Sequence, residues 1–119
     1  MALPTDHLAQ KAANETLHNW LTANTIPGLP AHVREQWAVI VLFYAAVQHI
    51  QAALANTGVA VVGHGQRAYQ LRSRWPQAEA SYWDLKQISD DYRYEAHSPS
   101  ATELLDAEDD YQEICRWVP

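Results

Sequence analysis

Trp37-Ala-Val-Ile-Val-Leu-Phe-Tyr-Ala-Ala-Val-Gln-His49 is the stretch whose reading decides the fold of this chain. From Ala38 to Val47 it is apolar on every face of a helix. Such a helix must be enclosed by neighbours on several sides, so it is the central element around which the rest packs. Extended to its natural limits it runs from about Ala31 to Asn56, with Gly58 as a C-terminal cap. The unbroken apolar run is far shorter than the ~20 residues of a membrane span. The opening Met-Ala-Leu-Pro-Thr-Asp has neither a basic nor an apolar leader region, so a soluble, cytoplasmic protein with no membrane partner is expected.

Outward from this helix the signals remain helical. Thr5 with Asp6 is placed to cap a first helix reaching about Ala23, with Leu8, Ala12, Leu17, Trp20 and Leu21 broadly on one side. Ile26-Pro-Gly-Leu-Pro30 breaks it. Residues 58–65 read as a loop, Gln66 to Trp75 as a short third helix, and Pro76 as the stop that opens a fourth. That fourth helix continues to about Arg93 and places Ala78, Tyr82, Leu85 and Ile88 on one face. Ser100-Ala-Thr-Glu103 is a capping box, after which Leu104, Ala107, Tyr111, Ile114 and Val118 mark an amphipathic last helix. Its acids Asp106, Glu108, Asp109, Asp110 and Glu113 form a solvated outer face, and the five tryptophans supply core area, with room for one at an oligomer contact. With 119 residues and only 4 glycines, the chain reads as one all-α domain over 1–119, a compact five-helix up-down bundle.

The net charge is −6, yet no acid lies between Gln36 and Ala78, where Arg67, Arg72 and Arg74 sit. Acids dominate from Glu79 to Glu113. This pattern argues against broad coating of a nucleic-acid duplex but leaves a locally basic region suited to a phosphate. The single cysteine, Cys115, excludes an intrachain disulfide and a four-cysteine zinc site. His7, His18 and His32 have no ligand-like spacing, and no histidine–carboxylate pairs point to a shared centre, so neither a metal nor a cofactor is expected.

With short up-down connections, His49, His64, Arg67, Arg93 and Tyr94 converge at one end of the bundle. Imidazoles move protons near neutral pH and a guanidinium fork matches phosphate oxygens, a combination suited to a phosphodiester or nucleotide. A second reading stands beside this one. In it His49 is a core histidine bonded to a backbone carbonyl, and Arg67 and Arg93 pair with Asp90, Asp91 or Glu95. His97 lies in the loop before the capping box, either as a proton carrier or as a plain loop residue. Tyr92 and Tyr94 read as packing anchors at a core boundary.

The segments Trp37–Leu54, Gly63-His-Gly-Gln-Arg67 and Tyr82–Tyr94 together resemble the HEPN superfamily, helical domains widespread in prokaryotes and named for nucleotide binding. Ribonucleases of that superfamily carry an Arg and a His with four to six residues between them, paired across a dimer. The resemblance implies metal-free RNA cleavage, with His49, Arg93 and His97 as catalytic residues and His64, Arg67 and Tyr94 binding the ligand. Here three residues separate Arg93 from His97, one short of the motif. The resemblance further implies a homodimer, RNA or a nucleotide as ligand, and an operon-encoded partner protein in a toxin or defence system. The alternative from a different class is a noncatalytic helical module that uses the same polar region to bind a nucleotide or a protein.

Overall fold

The computed structural model describes residues 2–119 and contains five α-helices: α1 (Pro4–Ala23), α2 (Ala31–Asn56), α3 (His64–Arg74), α4 (Glu79–Tyr94) and α5 (Ala101–Trp117). No strand occurs among the described residues, so the protein is an all-α bundle. Local chemistry sets the helix ends. The capping box of α5 is formed as its sequence requires, with Ser100 Oγ accepting from Glu103 N–H at 3.1 Å and Glu103 Oε1 from Ser100 N–H at 3.0 Å. At α1 the boundary moves: Pro4 occupies the first helical position, and Asp6, inside the helix, accepts from Leu3 N–H at 3.0 Å. Pro76 opens a single 3-10 turn, Pro76–Ala78, before α4 begins at Glu79. The third helix starts at His64, two residues earlier than its sequence suggests, following Gly63 at φ 84°.

Helix α2 is the centre. Ile40, Phe43, Ile50 and Leu54 are fully enclosed and pack with Leu71 of α3, Tyr82 and Leu85 of α4, and Ile114 and Val118 at the end of α5. By length and hydropathy alone α2 could cross a membrane, but most of that stretch is buried inside the bundle, as a core helix must be. It runs antiparallel to α1, with His7 meeting Gln48 and His18 meeting Ala38. It is antiparallel also to α4, where Tyr82 lies against Phe43 and His97 against Gln36.

Two packing expectations are overturned. Leu8, Leu17 and Trp20 do not form a buried stripe on α1, whose only buried side chains are His18 and Leu21. Because α1 packs mainly along α2 and meets α5 only through polar side chains, it needs only a narrow contact line, and His18 fills that line by donating from Nδ1 to Ala38 O at 2.7 Å. The tryptophans are not core residues either: Trp20, Trp37, Trp83 and Trp117 are exposed and Trp75 only partly covered. Alanines 38, 45, 46, 52 and 53 of α2 allow close helix approach and leave no space for indoles, which lie at the perimeter.

Candidate functional site

Helices α3 and α4 run antiparallel, so Arg72 at the end of α3 pairs with Glu79 at the start of α4, while His64 reaches Tyr82. Arg67, one turn after His64, lies on the inner face of α3 and is only 6% exposed. Its Nη1 donates to Tyr82 Oη at 3.1 Å and to His64 Nδ1 at 3.1 Å. The Tyr82 hydroxyl donates to the same His64 nitrogen at 2.8 Å. Two donors on Nδ1 assign the ring proton to Nε2 and require a neutral imidazole. Partial burial of the ring, followed by the positive charges of Arg67 and Lys86, holds the His64 pKa below its ordinary 6.5, which favours the neutral ring. Burial raises the Tyr82 pKa and keeps the phenol a donor.

No carboxylate among the described residues pairs with Arg67, and its buried Nε has no hydrogen-bond partner. Asp90, the carboxylate whose charge acts on His64 and Tyr82, is already engaged by Lys86 Nζ at 2.6 Å. A buried cation without a counterion is costly, and two hydrogen bonds to neutral groups offset only part of that cost. Lys86 and Arg93 add further positive charge around His64. Arg93 donates to the Tyr44 hydroxyl, and its guanidinium lies 5.5 Å from the Tyr44 ring centre and 4.8 Å from that of Tyr94. Tyr94 is 66% exposed, so it does not anchor packing; Tyr92 does, buried with its hydroxyl donating to Glu103 Oε1 at 3.3 Å.

The expected five-residue convergence is therefore only partly realised. His64 and Arg67 touch; the charge of Arg93 acts on His64, and Tyr94 meets Arg93 alone. His49 lies elsewhere: Nε2 donates to Val118 O at 2.7 Å, its charged neighbours are Lys11 and Glu15 of α1, and burial lowers its pKa. That is the core-histidine arrangement. His97 is also separate, its Nε2 3.0 Å from Glu103 Oε2, its ring stacked on Tyr92 and its carbonyl accepting from Gln36 Nε2 at 2.7 Å. These contacts tie the α4–α5 loop to the beginning of α2. The pairing of Arg67 and Arg93 with Asp90, Asp91 or Glu95 is not found among the described residues.

Reasoning from sequence passed over Tyr44 and Lys86, read Tyr82 only as a residue of the packed face of the fourth helix, and offered Asp90 only as a partner of Arg67 or Arg93. A signal existed for three of them, because Tyr82, Lys86, Asp90 and Arg93 recur at helical spacing along α4. Among the described residues no group of three or more His, Cys, Asp or Glu side chains is arranged to hold a metal. Comparison of the chain with known protein families, curated proteins and solved structures gives no match.

Proposed function

We propose that this protein is a noncatalytic, HEPN-like helical module that binds the phosphate of a nucleotide or of RNA at His64 and Arg67. The observation that carries this reading is the buried Arg67 guanidinium with no carboxylate partner and an unused Nε. A phosphate at the small exposed edge of the guanidinium, rather than at the sealed Nε, accepts a charge-assisted hydrogen bond and supplies the missing counterion. The neutral His64 adds an Nε2–H donor, and the exposed Tyr94 ring, with the Arg93 guanidinium 4.8 Å from its centre, offers a flat surface on which a base stacks. Binding is supported over cleavage because Arg93 and His97, the two residues a ribonuclease reading needs together, are engaged with different partners. In this reading the protein acts in the cytoplasm as a homodimer or beside an operon-encoded protein, with exposed Trp20 and Trp37 as contact surface.

Calorimetric titration with inorganic phosphate and with AMP tests the site. Saturable one-to-one binding that Arg67→Met abolishes is the expected result. Absence of binding to both probes, or undiminished binding by the variant, overturns it.

A further inference from the structure

The charge and the depth of the His64–Arg67 site together select among phosphates. Three cations, Arg67, Lys86 and Arg93, and one carboxylate, Asp90, act on the His64 ring. Lys86 Nζ and Asp90 Oδ2 lie 2.6 Å apart and offset one another. Arg67 and Arg93 are left, and neither meets a carboxylate among the described residues. Phe43 links their surroundings: its ring centre is 5.7 Å from that of His64 and 5.8 Å from that of Tyr44, whose hydroxyl accepts from Arg93. His64 is also the first residue of α3, which begins with no side-chain cap and no acid in its first turn, so the positive end of that helix adds to the field. Two uncompensated cations thus act on one neutral imidazole.

An internal phosphodiester carries a single negative charge and is flanked by a sugar on each side. A terminal phosphomonoester carries a charge of about −1.5 to −2 near pH 7 and three free acceptor oxygens on a projecting end. The monoester matches the two unpaired cations in charge, whereas the diester leaves one of them without a counterion. Depth favours the same group. Arg67 is 6% exposed, so only a small edge of its guanidinium is within reach, while Arg93 and Tyr94 stand at the surface. A chain end brings its phosphate alone to a recessed edge; an internal phosphate must bring two sugars with it.

We infer that the site takes a terminal phosphomonoester dianion, on a nucleoside monophosphate or at the end of an RNA strand, and discriminates against the internal phosphodiester. The inference rests on the phosphate reading and narrows it. Calorimetry compares AMP with its 5′-methyl ester, which keeps the base and sugar and lacks one charge and one free oxygen. The ester is expected to bind about tenfold more weakly, as a charge-assisted hydrogen bond is lost. Arg67→Met is expected to abolish AMP binding and Arg93→Gln to weaken it roughly threefold; the second, at an exposed residue, locates the ligand if the first does not fold. Arg116→Gln, at an exposed arginine of α5, is expected to change nothing. Hexa-adenylate with a 5′-phosphate and the same strand with a 5′-hydroxyl separate the sources: phosphate-dependent binding tighter than that of AMP marks an RNA end, and binding of AMP without either strand marks a free nucleotide. Equal affinity for AMP and its methyl ester, equal measurable binding of the two strands, or AMP binding undiminished in both site variants overturns the inference. If the ester binds as AMP does and Arg67→Met abolishes both, the phosphate reading survives the loss of the narrower one; no binding of any of the four ligands overturns both.

Discussion

Arg67 is the residue at which stability and function separate. If its guanidinium serves a ligand, removing it relieves the unliganded protein of an uncompensated buried charge. In phosphate-free buffer Arg67→Met should therefore be at least as stable as wild type in urea unfolding, with a gain on the order of 1 kcal/mol. The Tyr82 hydroxyl and His64 Nδ1 still satisfy one another in the variant. Phosphate should raise the wild-type midpoint by mass action and leave the variant's unmoved. A loss of several kcal/mol without phosphate would make Arg67 a structural residue instead. His49→Ala should behave in the opposite way: it strips the Val118 carbonyl of its donor, costing about 1–3 kcal/mol, and leaves phosphate binding intact. The residue types of His64 and Arg67 advertised phosphate chemistry in the sequence. Their bond to Tyr82 did not show, because a tyrosine spaced for the core of α4 reveals nothing about where its hydroxyl points.

At the scale of elements, the α4–α5 contact departs from the solvated acidic face that the α5 sequence suggests. Asp106, Glu108 and Asp109 are exposed, but Asp110 turns one carboxylate oxygen into the interior, against Asp84 of α4. Burial, and then the hydrogen bond and charge of Asp84, push the Asp110 pKa up from 3.8 to about 8. The folded protein then binds a proton that the unfolded chain has released, so this group stabilises at low pH and loses that contribution as pH rises toward 8. The histidines act with the opposite sign. His49 and His64 have lowered folded pKa values, so their contribution is lost as pH falls below 6.5. Between about 6.5 and about 8 the Asp110 effect stands alone among these three groups, and the thermal midpoint should decline across that window. Asp110→Asn should flatten the decline; a slope unchanged in the variant would assign it to other groups.

For the whole molecule, α2 is the element whose packing holds the bundle together, and Phe43 joins its core to both Tyr82 and His64. Phe43→Ala should cost about 3–5 kcal/mol in urea unfolding, as expected for truncating an enclosed aromatic side chain. Light scattering over a concentration series tests the homodimer, whose expected mass is twice the 13.5 kDa of one chain. A monomer at every concentration would remove the dimer from the proposed function. The sequence by itself determined the helices, the centrality of α2 and the capping box of α5. Apolar periodicity, proline stops and side-chain caps act within a few residues and survive in a one-dimensional reading. Tertiary structure alone decided that His49 and His97 leave the His64–Arg67 cluster, that the tryptophans lie at the perimeter, and that α1 and α5 enclose an acidic cleft. These outcomes depend on which helix faces meet across tens of residues, where the close approach of small side chains and the satisfaction of buried polar groups select the packing.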